Sequence, residues 1–308
     1  MSQHKGRGER TRRLRRLGLG VLGIALAALL LTLLWPDGTA EPVMRHPGQR
    51  LDARAADSRP LPERLLAIFP ALTVAVPAPQ PDPDPRARIA IVLDDMGPDR
   101  AALARASGLP VTVSFAFLPY AAGVEDLAAV ARQAGRTVLL HMPMEPLGPA
   151  DPGPGAMLSG QPPAEQLARL EVALARFRGL DGVNNHMGSR LTADRAAMER
   201  VMQRLRGSGL FFLDSRTTAE TEAAAAATRA GIPNLSRDVF LDPDGTGEVA
   251  EAQLRRTLQI ADETGQVVAI GHPHRLTLAA LERFVATLDR KRYRLVTLSE
   301  LVAVSAAR

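Results

Sequence analysis

Residues 89–97 read Ile89-Ala-Ile-Val-Leu-Asp94-Asp95-Met-Gly97. Five apolar residues in a row, with no polar alternation, describe a strand covered on both faces, the kind found in parallel sheets flanked by helices. The two carboxylates fall where that strand ends. From Arg88 onward the same texture repeats. Apolar runs at 111–117, 137–140, 209–213, 239–241, 267–270 and 295–298 alternate with stretches of helical periodicity at 99–106, 123–134, 163–178, 192–207, 218–230, 248–264 and 276–290. Thr192 and Thr277 stand where N-caps are expected, and Gly135, Gly207, Gly231 and Gly265 where helices stop. Strands alternating with helices imply a parallel sheet with right-handed crossovers. Seven or eight such units between residues 88 and 308 suit a closed or nearly closed β/α barrel better than a doubly wound sheet.

The chain has 308 residues and a formal charge of +5, with an isoelectric point near 10.5. Such a charge invites a nucleic-acid reading, but its location argues otherwise. Residues 1–16 hold seven basic side chains against one acid, Glu9, which leaves 31 basic and 32 acidic groups from residue 17 onward. A nucleic-acid surface shows as excess Lys and Arg in the folded part, so no nucleic-acid partner is expected. The chain has no cysteine, which excludes disulfides, thiol catalysis and Cys-ligated metals.

Leu17–Trp35 is 19 residues without a charge. As a helix it would span roughly 28 Å at about 1.5 Å per residue, close to the hydrocarbon thickness of a bilayer. The basic block before it fits the positive-inside rule, and Trp35 falls at the far boundary where aromatic belts form. The expectation is a single-pass anchor in the inner membrane with the remainder in the periplasm. Gly38-Thr39-Ala40 keeps a cleaved signal peptide open as the alternative. Eleven of the 24 prolines lie between Pro36 and Pro85, and alternating prolines favour an extended linker. Within it, Leu61–Val76 is apolar enough to dock on the body or at a membrane surface. The expected organisation is a basic cytoplasmic tail at 1–16, a transmembrane helix at 17–35, a Pro-rich linker at 36–87 and a barrel at 88–308.

The polar residues cluster where barrels carry their active sites, just after the strands. They are Asp94-Asp95, His141-Met-Pro-Met-Glu145, Asn184-Asn185-His186, Asp214-Ser-Arg216 and His272-Pro-His274, with Asp238 and Asp242 flanking the sixth strand. His4 and His46 lie in the tail and linker. A carboxylate and two imidazoles converging from separate strands make a first shell suited to zinc, nickel or iron, with an open position for water or substrate. Glu145, Asn184, Asn185, Asp214 and Arg216 stand around it as candidate substrate contacts, though Glu145 and Asn184 read equally well as loop-fixing hydrogen bonders.

Five strings resemble the divergent polysaccharide deacetylase (YibQ-like) family, within the NodB-type carbohydrate deacetylases. They are Ile91-Val-Leu-Asp94-Asp95-Met-Gly97, His141-Met-Pro-Met-Glu-Pro146, Asn184-Asn-His-Met-Gly-Ser189, Phe212-Leu-Asp-Ser-Arg216 and Ile270-Gly-His-Pro273. The resemblance covers roughly residues 88–303, in family order. It implies a deformed (β/α) barrel of seven or eight units, one divalent metal such as zinc, and metal-dependent removal of N-acetyl groups from an envelope polysaccharide or a peptidoglycan-like glycan. It also implies roles: Asp94 as general base, Asp95 and His186 as metal ligands, His272 as general acid. Arg190 stands where the wider family has its second ligating histidine, and His141, from the neighbouring strand, is the expected replacement. Arg216 and Asp238 are expected to buttress the base and the acid; His274 is given no role. The alternative is a degenerate barrel that keeps the cleft to bind glycan or a partner.

Overall fold

The computed structural model describes residues 84–306. The tail, the apolar segment at 17–35 and nearly all of the linker lie outside the described residues, and no described helix is long and apolar enough to cross a membrane. The chain runs β1 (Ala87–Met96), α1 (Arg100–Ser107), β2 (Ser114–Phe117), α2 (Val124–Gln133), β3 (Val138–Met144), α3 (Pro163–Ala175) and β4 (Gly182–Met187). It continues through α4 (Arg195–Leu205), β5 (Phe211–Asp214), α5 (Ala223–Arg229), β6 (Asn234–Ser236), β7 (Val239–Phe240), α6 (Ala250–Thr264), β8 (Gln266–Gly271), α7 (Arg275–Thr287), β9 (Tyr293–Val296) and α8 (Leu298–Ala306).

All pairings are parallel, in the order β6-β5-β4-β3-β2-β1-β8-β7, with β9 beside the first half of β1. The two outermost strands of that order, β6 and β7, are separated in the chain only by Arg237 and Asp238. Arg237 N donates to Asp214 O at the end of β5, and Asp238 N donates to Val268 O in β8. One run of chain therefore serves both ends of the sheet, which curls.

Side-chain alternation along the strands separates two apolar layers. Ile89, Ile91 and Leu93 of β1 pack outward under the helices. Ala90 and Val92 face inward, with Ala116, Leu139, Leu213, Val268 and Ile270 from the neighbouring strands. The bottom of this interior is filled by Leu298, Leu301 and Val302 of α8. The inward parity of Ala90 and Val92 continues to Asp94, that of Leu139 to His141, and that of Gly182 to Asn184 and His186. The polar residues thus sit at the open end of a core whose other end is apolar and closed.

Several local expectations are corrected. Asp194, not Thr192, caps α4, accepting from Ala197 N at 3.0 Å, while Thr192 Oγ1 bonds Gly188 O. Thr277 lies inside α7, its hydroxyl donating to buried Asp242. The final apolar run gives β9 at Tyr293–Val296 and then, with no intervening loop, a helix that was not expected. Thr297 caps that helix, its hydroxyl accepting from Glu300 N at 3.1 Å. The four expected helix-stop glycines all adopt positive φ, from 71° to 89°.

Candidate metal centre

β3 and β4 end side by side, with β1 beyond β2, and the parallel register sets His141 beside Asn184 and His186 beside Pro143. Asp94 and Asp95 are consecutive, so strict alternation would send them to opposite faces. The backbone prevents this. The β1–β2 register shifts between Leu93 and Met96, and Asp95 adopts a left-handed φ of 55°. This bulge turns the second carboxylate into the cleft beside the first, a use of irregularity typical of active-site edges. All three described non-glycine residues with positive φ, namely Asp95, Met187 and Arg216, line the same cleft.

Three potential ligand atoms converge there. Asp95 Oδ1 lies 2.8 Å from His186 Nδ1 and 3.2 Å from His141 Nε2, and the two nitrogens are 3.1 Å apart. These spacings are close to those of a tetrahedral shell, where bonds of about 2.0–2.1 Å put ligand atoms roughly 3.3 Å apart. Asp95 Oδ1 is buried, and neither ring is aligned to donate a hydrogen bond to it. A buried oxygen facing two ring nitrogens without such bonds fits atoms directed at a shared cation.

The surroundings fix the ring states. Asn184, fully buried, donates through Nδ2 to Asp94 Oδ1 at 2.9 Å and to Ser215 Oγ at 3.2 Å. Its Oδ1 therefore faces His141 Nδ1, at 2.9 Å, as an acceptor. That assigns the proton to Nδ1 and leaves the Nε2 lone pair for a cation, the carbonyl–histidine–metal arrangement of many metal sites. Burial opposes charge on His141, but Asp94 and Asp95 outweigh it and raise its pKa. Burial also opposes charge on Asp95, yet the two imidazoles hold its carboxyl well below the usual range. The place favours positive charge.

Asp94 stands behind the triad, its Oδ2 3.6 Å from His141 Nε2. Burial raises its pKa against the pull of His141, His272 and Asn184. Across the cleft, His272 Nε2 approaches Asp95 Oδ2 at 3.8 Å. Its Nδ1 is held at 2.9 Å by Asp242 Oδ1, while Asp242 Oδ2 accepts from His272 N and Thr277 Oγ1. Burial works against charging His272, but the Asp242 contact and the charges of Asp94 and Asp95 prevail and hold its pKa up to about 9. The cleft these residues line has a volume of about 380 Å³.

A family model described as divergent polysaccharide deacetylase matches residues 91–302. The chain belongs to the divergent polysaccharide deacetylase family. It is 34% identical over 202 residues to the uncharacterized protein YibQ of Escherichia coli K12, covering 65% of this chain and 63% of that one, slightly under two thirds of the relative. It is also 34% identical over 195 residues to an uncharacterized protein of Haemophilus influenzae, covering 63% of this chain and 70% of that one. Among solved structures, the uncharacterized protein ATU2773 of Agrobacterium tumefaciens is similar, with a TM-score of 0.68 and 27% identity over 73% of this chain and 92% of that one.

In this member of the family, Asp94, Asp95, His141, Asn185, His186, Arg216 and His272 all line the cleft. Three expected substrate contacts do not. Glu145 turns away to accept from Ser159 N and to pair with Arg190 at 3.3 Å. Asp214 is buried, accepting from Arg216 N and Thr221 Oγ1. Asn184 sits behind His141 as a positioning residue. Arg190 is thus engaged by Glu145, and His141 Nε2 lies beside Asp95 Oδ1 and His186 Nδ1. Asp238 accepts from Val268 N, and the partner of His272 is Asp242 instead. Arg237 and Phe240 were not singled out from the sequence, and Asp242, placed there beside the sixth strand, was given no role. Asp242, His272 and His274 also cluster closely enough for a cation, but both Asp242 oxygens are already occupied by hydrogen bonds.

Proposed function

We propose that this protein is a metal-dependent deacetylase that hydrolyses N-acetyl groups on an envelope glycan. The observation that carries the reading is the triangle of Asp95 Oδ1, His141 Nε2 and His186 Nδ1, flanked by one buried carboxylate and one carboxylate-braced imidazole. A divalent ion held by those three residues, such as zinc, would make water acidic near neutral pH and polarise the acetamide carbonyl. Asp94, kept basic by burial and aimed by Asn184, takes a proton from water as its oxygen attacks the acetyl carbon. The carbon–nitrogen bond then breaks. His272 gives its Nε2 proton to the departing amine while Asp242 stabilises the imidazolium through Nδ1, as a carboxylate does for a catalytic histidine elsewhere. The products are acetate and a free amino sugar, and the proton on Asp94 returns to solvent.

The direct test of the metal reading is elemental analysis of the purified full-length protein. His186→Ala should lose most of the bound zinc, because removing one of three ligands costs much of the affinity, whereas His274→Ala should keep it. Equal zinc in both would remove His186 from the site.

The membrane reading rests on the sequence of residues 1–35. Leu17–Trp35 anchors the chain in the inner membrane with the deacetylase domain in the periplasm, at the surface where its glycan lies. Alkaline phosphatase fused after Arg308 should be active; a fusion active only as a cytoplasmic reporter would overturn this.

A further inference from the structure

The metal and the reacting acetamide account for one side of the cleft. The other side carries two arginines that the reaction above does not use. Arg216 and Arg237 both line the cavity, and no carboxylate pairs with either guanidinium among the described residues. Arg237 is largely fixed: its Nε donates to Ser215 O at 2.6 Å, its Nη2 to Arg216 O at 2.7 Å, and its plane lies 4.7 Å over the Phe240 ring. Its Nη1 makes no hydrogen bond to a described residue. Arg216 is pinned by its backbone, N to Asp214 Oδ1 at 2.8 Å and O to Arg237, while its side chain is exposed. Its φ of 48° lies in the left-handed region, which glycine enters at no cost and arginine at a cost of order 1 kcal/mol. A strained position that carries a long cation at a cleft mouth is not a generic surface arginine.

Charge within the cleft points the same way. Its two lining acids, Asp94 and Asp95, face the cation site, and His272 is matched by Asp242. Arg216 and Arg237 stand as two like charges on one wall; burial and then Arg216 disfavour the charge on Arg237, and Asp94, Asp214 and Asp238 offset only part of this without forming an ion pair with it. A guanidinium pair of this kind suits a planar or tetrahedral oxyanion, which it can bind through forked hydrogen bonds.

We propose that the cleft selects N-acetylated sugars that carry an oxyanion, a carboxylate or a phosphate, near the acetamide, and that Arg216 and Arg237 receive it. This rests on the deacetylase reading of the same site and adds the class of glycan to it. A neutral glycan brings no charge to the Arg216 guanidinium or to Arg237 Nη1.

The experiment compares three probes on the zinc-loaded full-length protein: a hyaluronan tetrasaccharide (carboxylate), N-acetylglucosamine 6-phosphate (phosphate) and neutral chitotetraose. Binding is read by calorimetry and acetate release in parallel, each at low and at 0.5 M salt. At least one charged probe should bind about tenfold or more tighter than chitotetraose, since a hydrogen bond to a charged group contributes about 1.5–3 kcal/mol. Which charged probe wins distinguishes the two oxyanions. Arg216→Gln should erase most of that preference, weakening the charged probe far more than chitotetraose, and Arg216→Lys should retain part of it. Salt should weaken the charged probe alone. Equal binding of charged and neutral probes by wild type overturns the proposal, as does an equal loss for all three probes in Arg216→Gln. Acetate released without charge preference would sink the oxyanion assignment and keep the deacetylase. A preference in binding without acetate release from any probe would do the reverse.

Discussion

Asn184→Ala offers a sharp perturbation of the centre, because Asn184 touches neither the cation position nor the substrate space. Its amide links the two chemically distinct halves of the site, His141 through Oδ1 and Asp94 through Nδ2, both at 2.9 Å. Truncation leaves two fully buried polar groups without their partner. Each unsatisfied group costs about 1–3 kcal/mol, so stability should fall by roughly 2–6 kcal/mol unless water enters the space. His141 would also lose the hydrogen bond that sets its tautomer, and loss of such an outer contact typically lowers metal affinity about 10- to 100-fold. A competition titration against a zinc-binding dye reads this directly. Asn184→Asp separates the two halves. It restores an acceptor for His141 Nδ1 but sets a second carboxylate against Asp94, so the pair shares a proton. Zinc affinity should then recover to at least that of wild type while acetate release stays lost. Zinc affinity of Asn184→Ala within twofold of wild type would refute the argument that His141 is oriented from behind.

Two further outcomes follow from the same contacts. Asp242→Asn removes the charge that helps hold the His272 pKa up to about 9. An acid catalyst acts while protonated, so activity falls as pH rises through its pKa; lowering that pKa should move the alkaline limb of the pH–rate profile to lower pH and reduce the rate by about 10²–10⁴-fold with zinc content unchanged. An unmoved alkaline limb would take His272 out of the acid role. Gly182→Ala in β4 would place a methyl 2.6 Å from Phe211 Cε2 and 2.8 Å from the Phe211 carbonyl oxygen. The backbone contact cannot rotate away, so about 1–3 kcal/mol of stability should be lost, a fall in Tm of roughly 2–12 °C; an unchanged Tm would show that β5 can shift.

What the sequence disclosed about this site depended on how strands behave. In a parallel sheet all strand ends meet at one edge, so Asp94, His141, His186 and His272 could be gathered from chain order alone, although their residues are up to 178 positions apart in the sequence. Alternation inside the sheet is enforced by burial, which made the inward residues legible. Past the last ladder pair that constraint ends. Glu145 sits there and Asp214 in the last pair of its ladder, and each turned to brace a loop rather than face the cleft. The bulge at Asp95 was invisible for a related reason, since a left-handed aspartate has no compositional mark. Asp242 was seen beside its strand, but its pairing with His272 is a contact across β7 and β8 that no spacing announces. β6 and β7 are three and two residues long, too short to show a period. The apolar run at 295–298 hid a strand end and a helix start in one stretch, so α8 was missed. Its packing into the sheet interior explains why that helix is apolar where an exposed terminus would be polar.

In the proposed reaction a metal held by Asp95, His141 and His186 works with Asp94 to hydrolyse an N-acetyl group. The most direct measurement is acetate release from N-acetylated envelope glycan by the full-length protein, stripped with chelator and then given one equivalent of zinc, for wild type and Asp94→Asn side by side. The near-isosteric amide keeps the shape of the site and removes only the proton acceptor. Wild type should release acetate only when zinc is present, and Asp94→Asn should release none measurable while still binding zinc and melting at the wild-type temperature. Zinc-loaded wild type that releases no acetate, or Asp94→Asn that releases it at the wild-type rate, would contradict it.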